Sequence, residues 1–425
     1  MMLSWVQILR LGLVQAALGS VIVLTTSTLN RLMVVELGVA AALPGLLVAL
    51  HYVVQMNRPN WGFRSDTTGQ RTRYILGGMT ALALGAFTAA LGLVVMAQAF
   101  WPGLALSILA YILIGSGVGA CGTALLALLA AGAAPARRPA AAMSTWLLMI
   151  FGIAVTAGVV GSLIDPYTPG KLLRIVATVG ALAVAVSTLA VWGIERRVTF
   201  RAPEAAPEPF FKALREVWAD PRARGFTAFV FLSMTAYFMQ ELILEPYAGL
   251  VFGFSPGEST GLSGAQHGGV FAGMLTVGIV ASGLKIGGLR AWVITGCLGS
   301  AIAVASVAAL GQVGLNLTPA VVAMGFFNGM FSVAAIASMM QLAGEGRPGR
   351  EGTRMGLWGA AQAIAAGFGG LAGAAAADLL RLILPAPQAF GLVFLVEAGL
   401  FLAAAALAVQ VITAPSRLPV AVPGE

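Results

Sequence analysis

Twelve apolar runs follow one another along this chain of 425 residues, and most are long enough to cross a lipid bilayer as a helix. A spanning helix needs about 20 apolar residues. Only 9% of the residues are charged, whereas soluble domains carry about 25%, so most of the chain cannot face water. The runs predict an all-α membrane protein with twelve transmembrane helices. They cover approximately residues 11–35, 40–57, 74–97, 102–130, 143–164, 171–193, 226–253, 262–284, 290–311, 318–343, 355–380 and 388–413.

Positive charge is distributed very unevenly between the loops. With an N-terminus in the cytoplasm, 20 of the 24 Lys and Arg residues fall on the cytoplasmic side. Because cytoplasmic loops carry the excess of Lys and Arg, both termini are expected to be cytoplasmic. The same scattering over short loops disfavours a nucleic-acid partner, in spite of the net charge of +8; the lipid bilayer is the expected partner.

One long polar stretch divides the twelve runs into six and six. Its Ala, Pro and Glu residues predict a flexible linker, and FFKALREVW predicts a short amphipathic helix at the membrane surface. Six plus six is the layout of many secondary transporters. The expected domains are a first six-helix bundle, the cytoplasmic linker, a second six-helix bundle and a cytoplasmic tail, at residues 1–194, 195–225, 226–413 and 414–425.

The loop WGFRSDTTGQRTR, residues 61–73, combines glycines, an aspartate and arginines at a defined spacing. It resembles the loop 2–3 signature of the major facilitator superfamily, G-x-x-x-D-x-x-G-R-[KR], with Gln70 at the usual first basic position. Glycines permit tight turns, and an aspartate near a helix N-terminus is electrostatically favoured. The loop is therefore expected to latch one half to the other on the cytoplasmic side, or else to be a solvated turn. The latch residues are Gly62, Asp66, Gly69, Arg71 and Arg73.

Charged residues inside spans are costly and indicate function. The first span ends with Arg31 and Glu36, and the seventh carries Glu241 and Glu245 on one face before Pro246, which is expected to break that helix. If the two halves are repeats, Arg31 and Glu241 occupy matching places, which predicts an ion pair near the periplasmic side. The alternative is that each charge reaches the interface and is solvated.

Longer segments narrow the resemblance. LNRLMVVELG (29–38) and QELILEPYAGLVFGFSPGESTGLSGAQHGG (240–269) resemble the PucC/LhaA family, also called the bacteriochlorophyll delivery family, and the resemblance extends over nearly the whole chain. It implies a multi-pass protein of the bacterial inner, intracytoplasmic photosynthetic membrane that assists assembly of light-harvesting complexes. It further implies bacteriochlorophyll as cargo or ligand and the antenna polypeptides as partners.

Given this resemblance, four residues are candidates for pigment binding. A neutral imidazole of His51 or His267 could ligate the magnesium of a chlorin, although lone membrane histidines more often bond to a neighbouring helix. Glycines of the eleventh span, notably Gly367 and Gly370, could leave a side opening through which a flat ring enters from the bilayer. The alternative is that they let helices pack closely.

Two enzyme motifs are absent from the sequence: it contains no spaced Cys/His cluster for a metal and no P-loop. Nothing in the sequence predicts an enzyme, and the resemblance implies an assembly factor that delivers bacteriochlorophyll. The alternatives are a proton-coupled exporter of a small amphipathic molecule, and a scaffold that kept the fold but lost transport.

Overall fold

The computed structural model describes residues 3–68, 70–134, 138–195, 218–284, 286–344 and 351–412. Twelve long helices, α1 to α12, account for most of this part of the chain, and a shorter one, the loop helix, lies between α2 and α3. In chain order they are α1 Trp5–Glu36, α2 Ala42–Gln55, the loop helix Arg58–Thr68, α3 Arg71–Met96, α4 Phe100–Gly132, α5 Arg138–Ile164, α6 Pro169–Val191, α7 Pro221–Phe252, α8 Pro256–Val277, α9 Leu289–Val313, α10 Thr318–Gly344, α11 Glu351–Arg381 and α12 Ala386–Val411.

The prediction of twelve helices from apolar runs is confirmed, with ends that differ by a few residues. Eleven of the helices in the described ranges are long and apolar enough to cross a membrane. The exception is α2, whose 14 residues extend only about 21 Å. The predicted amphipathic segment FFKALREVW lies outside the described residues except for Trp218.

Local sequence signals set the helix ends. Ser255 caps α8 by accepting from the backbone of Glu258, whose side chain accepts in return from the Ser255 N–H, and Pro256 occupies the first helical position. This reciprocal pattern satisfies two N–H groups that a helix start leaves unpaired. At the other end of α7, Gly253 adopts the left-handed conformation (φ 70°) that a helix stop favours.

The helices form two bundles, each with its own apolar core. One core is built mainly from α1 to α6 and the other mainly from α7 to α12. Consecutive helices alternate in direction, so α1 begins and α12 ends on one side, here called the terminal side; the other is the distal side. The bundles meet along two seams, where α5 packs on α8 and α2 packs on α11.

Glycines bring helix backbones together at the α5–α8 seam. A Cβ atom added to Gly161 would lie 2.7 Å from the nitrogen of Gly261, and one added to Gly264 would lie 2.8 Å from the nitrogen of Gly158. Real Cβ atoms do not approach backbone so closely. The high glycine content thus serves close packing between spans, as is common in membrane bundles.

Candidate functional site

A buried polar network joins the two bundles between α1, α7 and α8. The hydroxyl of Ser27 on α1 donates to Glu245 on α7 and lies 2.9 Å from the hydroxyl of Ser263 on α8. All three side chains are buried, and the second carboxyl oxygen of Glu245 has no hydrogen-bond partner in the described ranges. The network lies about 10 Å from the distal end of α7, at 1.5 Å per residue. It is the polar centre of the interface between the halves.

The expectation that Pro246 breaks α7 is wrong, because the helix continues to Phe252. A proline removes the N–H that would bond the carbonyl four residues earlier, here that of Leu242. The Asn30 side chain of α1 donates to that carbonyl at 2.8 Å. A residue of the first half thus satisfies the backbone group that the proline leaves free, as membrane burial requires.

Arg31 forms an ion pair within its own segment. Its guanidinium donates to Glu36 at 2.5 Å and to the carbonyl of Phe254 at 2.7 Å. The predicted pair between Arg31 and Glu241 is therefore wrong: the last turns of α1 bring Glu36 within reach first. Arg31 also attracts Glu245 electrostatically, so the acid of α7 that matches this arginine is one turn further along the helix.

Glu241 and Glu245 lie on the same face of α7, as their spacing predicts. Glu245 meets Ser27, and Glu241 lies within hydrogen-bonding reach of the neighbouring Thr26. Glu241 also interacts electrostatically with Tyr52 of α2. Both acids therefore face the first half across the interface.

The part of α1 that supplies these contacts is not a regular α-helix. Leu24–Thr28 and Leu32–Glu36 are π-helical, and the carbonyl of Thr25 accepts from the hydroxyl of Tyr111 at 2.9 Å. Single π-turns cost helix stability and are frequent at functional sites. Their presence on both sides of Arg31 supports a functional role for this end of α1.

The two histidines differ in whether a ring nitrogen remains available to a ligand. In His51, Nδ1 bonds the carbonyl of Val48 and Nε2 bonds the Gln55 side chain, so no ring nitrogen remains for a ligand. The proposed pigment role of His51 is not compatible with this arrangement. In His267 on α8, Nδ1 lies 2.9 Å from the carbonyl of Ser263, and no partner is present for Nε2 in the described ranges.

The position of His267 follows from the helical repeat of α8. It lies one turn from Ser263, on the face that meets α1, and one turn closer to the terminal side than the Ser27–Glu245 network. Phe271, one turn further, packs against Phe151 of α5. Among the predicted pigment candidates, His267 is thus the one with an available nitrogen between the halves.

The two glycine candidates on α11 occupy different environments. A Cβ added to Gly370 would meet Leu242 at 2.9 Å, so this glycine serves packing of α11 on α7. A Cβ added to Gly367 would make only ordinary contacts, 3.5 Å from Tyr52 of α2. Gly370 therefore does not line a side opening, whereas Gly367 lies on the α2–α11 seam between the bundles.

The 61–73 loop is largely helical rather than a tight turn. Gly62 lies inside the loop helix, Arg58–Thr68, so its expected turn conformation is wrong; Gly69 and the side chain of Asp66 lie outside the described residues. Arg71 donates to the carbonyl of Ala127 at 3.4 Å, within the first bundle, and the side chain of Arg73 is exposed. The contacts described for this loop lie within the first bundle, and the latch between the halves stays a prediction.

Glu195 caps the helix that follows this loop. Its carboxylate accepts from the backbone N–H of Arg71 at 2.5 Å and from that of Thr72 at 2.9 Å. An acidic side chain at a helix N-terminus is stabilising. The contact ties the end of the first bundle to the start of α3.

Contacts between aspartates and helix starts do join the halves, but on the distal side. Asp165, just after α5, accepts from the Ser255 hydroxyl and from the Gly257 N–H at 3.1 Å, at the start of α8. Asp378, in the last turn of α11, accepts from the Ala42 N–H at 2.7 Å, at the start of α2. Each half thus places one carboxylate on a helix N-terminus of the other. We call the two contacts the distal clasps.

Sequence reasoning missed most of the residues that surround the two acids. The signal that could have found them is the run TTSTLN, residues 25–30, which places four hydroxyls and an amide inside an otherwise apolar span. The part of the chain that the structure describes contains no group of three or more His, Cys, Asp or Glu side chains that could hold a metal ion.

A double-mutant cycle tests the corrected ion pair. Arg31→Ala leaves the Phe254 carbonyl and Glu36 without their donor, which we expect to cost about 1–3 kcal/mol, a range that allows for the 37% exposure of Glu36. The effects of Arg31→Ala and Glu36→Ala on the free energy of unfolding, measured by thermal unfolding, should be coupled and not additive. The effects of Arg31→Ala and Glu241→Ala on the free energy of unfolding should be additive within about 0.5 kcal/mol. Stronger coupling between Arg31 and Glu241 would reject the assignment of Glu36 as the partner of Arg31.

Two solved structures of the same fold are a nucleoside transporter and a bacterial homolog of a lysosomal transporter. The nucleoside transporter NupG superposes with a TM-score of 0.65 at 14% identity, over 96% of this chain and 99% of that one. A bacterial homolog to the human lysosomal transporter Spinster, in an inward-facing and occupied conformation, gives 0.69 at 12% identity, over 96% and 98%. With its two six-helix bundles, the chain is a membrane protein of the major facilitator fold.

Within this class, the chain belongs to the PucC family, because the family model described as PUCC protein matches residues 28–415. It is 64% identical to the "Bacteriochlorophyll synthase 44.5 kDa chain" of Rhodobacter capsulatus, over the full length of both chains. It is also 30% identical to "Protein PucC" of the same species, over 97% of this chain and 93% of that protein. The predicted family is therefore confirmed.

Proposed function

We propose that this protein binds bacteriochlorophyll between its two halves and delivers it to antenna polypeptides during assembly of light-harvesting complexes. The observation that carries the proposal is the available Nε2 of His267, held on the face of α8 that meets α1. The name of the 64% identical relative, which includes bacteriochlorophyll, supports the choice of pigment.

The chemistry of the site fits a magnesium chlorin. The neutral imidazole of His267 could ligate the magnesium of the pigment through Nε2. Ligating histidines commonly donate their other ring N–H to a carbonyl, which fixes the tautomer and the ring orientation. His267 has this arrangement with the carbonyl of Ser263, and the hydroxyls of Ser263 and Ser27 lie one turn away for polar groups at the pigment edge.

The pigment carries a long apolar tail, so it should enter from the bilayer. The α2–α11 seam is the entrance that we propose, because Gly367 brings no side chain to the contact with Tyr52 there. We place the terminal side in the cytoplasm of a photosynthetic bacterium, with the chain in the inner, intracytoplasmic membrane, since 20 of 24 cationic residues fall on that side. Asp66, with Arg71 and Arg73, remains our proposed cytoplasmic latch for another conformation.

A proton-coupled exporter of a small amphipathic molecule is the second candidate. Two observations favour it: Glu241 and Glu245 face the interface between the halves, and the superposed structures are transporters. We propose that the chain catalyses no reaction itself; "synthase" is part of the relative's name.

The test is the absorption spectrum of the protein purified in mild detergent from a pigment-producing host. We expect wild-type protein to retain bacteriochlorophyll, and His267→Ala to lower the pigment-to-protein ratio about tenfold or more, which is about 1.4 kcal/mol in affinity. Added imidazole should partly restore the pigment in His267→Gly, because it can occupy the same ligand position.

The matched control is His51→Gln, which removes a buried histidine whose nitrogens are already bonded. The folded fraction of this variant should retain the wild-type ratio of pigment to protein. If His267→Ala has the wild-type ratio of pigment to protein and the wild-type position of the absorption band, His267 is not a ligand of the pigment. A colourless wild-type protein that moves a dye against a proton gradient would establish the exporter instead, and a colourless one that does neither would indicate a scaffold.

A further inference from the structure

A second set of buried polar side chains lies inside the second bundle, away from the interface. Glu397 on α12, Gln240 on α7 and Asn328 on α10 are 0%, 1% and 0% exposed. Both oxygens of Glu397, both amide atoms of Gln240 and the Asn328 amide nitrogen lack a hydrogen-bond partner in the described part of the chain. Five unpartnered polar atoms in a membrane bundle are expensive unless something satisfies them.

These side chains lie at one level of the membrane. Counted along each helix at 1.5 Å per residue, Gln240, Asn328 and Glu397 are between about 15 and 20 Å from the distal helix ends. Ser300 on α9 lies at the same depth, and its hydroxyl donates to the Asn328 side-chain oxygen at 2.7 Å. Four helices therefore each contribute one polar residue to the middle of the bundle.

Aromatic contacts show that these helix faces point towards each other. Glu397 lies between Phe394 and Phe401 on one face of α12; Phe394 packs 5.0 Å from Tyr247, and Phe401 packs 5.6 Å from Phe331. Gln240 is two turns from Tyr247 on the same face of α7, and Asn328 is one turn from Phe331 on α10. The polar residues thus converge between the two ring contacts.

We infer that this cluster is a proton-binding site, in which Glu397 carries a proton and internal water links it to Gln240, Asn328 and Ser300. An ionised carboxylate at this depth has no cationic partner among the described residues and would cost several kcal/mol. Protonation removes the charge and supplies a donor. Water then satisfies the remaining amide donors and acceptors together.

The occupant is a proton and not a metal cation because of the unpartnered N–H groups. A sodium ion would be attracted to the oxygens of Glu397 and Gln240 but would leave the amide nitrogens of Gln240 and Asn328 without acceptors. With internal water and a protonated Glu397, every amide N–H group has an acceptor. This inference is independent of pigment binding, because the cluster lies in the core of one bundle.

Infrared difference spectroscopy tests the site directly. The spectrum of wild type minus Glu397→Gln, taken at about pH 8, well above the ordinary pKa of a glutamate, should contain the C=O band of a protonated carboxylic acid. Glu397→Asp should shift this band without removing it. If Glu397→Gln does not fold, Glu397→Asp takes its place in the difference spectrum. The exposed acid variant Glu258→Gln is the control and should leave the band unchanged. Carboxylate bands in place of the acid band would overturn the proposal.

Thermal unfolding separates the proton from a cation. Glutamine is a neutral isostere of protonated glutamate, so Glu397→Gln should melt close to wild type, and sodium or choline as the only cation should make no difference to either protein. A stabilisation of wild type by sodium that Glu397→Gln loses would reject the proton and assign a cation site.

Discussion

Gly273→Ala is expected to destabilise the protein by about 3 kcal/mol or more, although alanine favours helices over glycine by about 1 kcal/mol. Gly273 on α8 packs directly on the carbonyl oxygen of Phe326 on α10, so an added Cβ overlaps backbone that cannot move aside. Gly325 and Gly329 on α10 contact the α8 backbone in return, at the carbonyls of Gln266 and Val270. The two helices can accept a side chain at Gly273 only by separating.

Gly268 on the same helix provides the matched control. An added Cβ at Gly268 meets nothing within 4 Å, so Gly268→Ala should stabilise by about 0.4–1 kcal/mol through the unfolded chain. The melting temperatures of the two variants should therefore move in opposite directions. Equal shifts of the same sign would mean that α8 and α10 are not in backbone contact.

Removing both distal clasps should open the distal side. In Asp165→Asn with Asp378→Asn, the side chains keep their shape but lose the charge that faces a helix N-terminus, and each contact becomes a neutral hydrogen bond. We expect about 3 kcal/mol for the pair from the lost charge-assisted bonds and helix-dipole terms. That is roughly a 150-fold change in the equilibrium between closed and open forms.

Spin-label distances across the distal side measure this change. Labels at Trp101 and Leu382, which are exposed on the first and second halves, should give one closed distance in wild type and an added longer distance in the double variant. Glu258→Gln changes an acid at the same α8 N-terminus that serves only its own helix, and it should leave the distances unchanged. A double variant with the wild-type distribution would show that the clasps do not hold the halves together.

The fold could be predicted from the sequence because its main determinant is local. Each apolar run needs only its own length and composition to be a spanning helix, and the helix ends follow from caps such as Ser255 with Glu258. The short α2 is the exception. Its apolar run extends to residue 57, but the helix ends at Gln55, before the loop helix begins at Arg58.

The site could be predicted only in part, because pairing depends on how the halves dock. Glu241 and Glu245 were expected on one face of α7, and the face is determined by spacing alone. Which arginine or hydroxyl meets each acid depends on contacts between residues more than 200 positions apart, such as Ser27 with Glu245. Matching positions in the two halves therefore predict Glu241 as the partner of Arg31, whereas the partner in the structure is the local Glu36.

The distal clasps had no sequence motif to indicate them. Asp165 and Asp378 are single acids at helix ends, where an aspartate is most often simply solvated. Their partners, the starts of α8 and α2, are recognisable as helix N-termini, but only the docked bundles show which acid reaches which start. The 61–73 loop, which does have a motif around Asp66, lies on the terminal side of the protein.

The bond from Asn30 to the Leu242 carbonyl determines how stiff α7 is. While the halves touch, the carbonyl that Pro246 leaves free is bonded by Asn30, and α7 remains helical through this position. When the distal seam separates, this bond is lost, water must reach the carbonyl, and the helix acquires a bending point one turn before the proline. Distal opening should thus involve a kink in α7 as well as rotation of two rigid bundles, so the angle of its last two turns would report the conformational state.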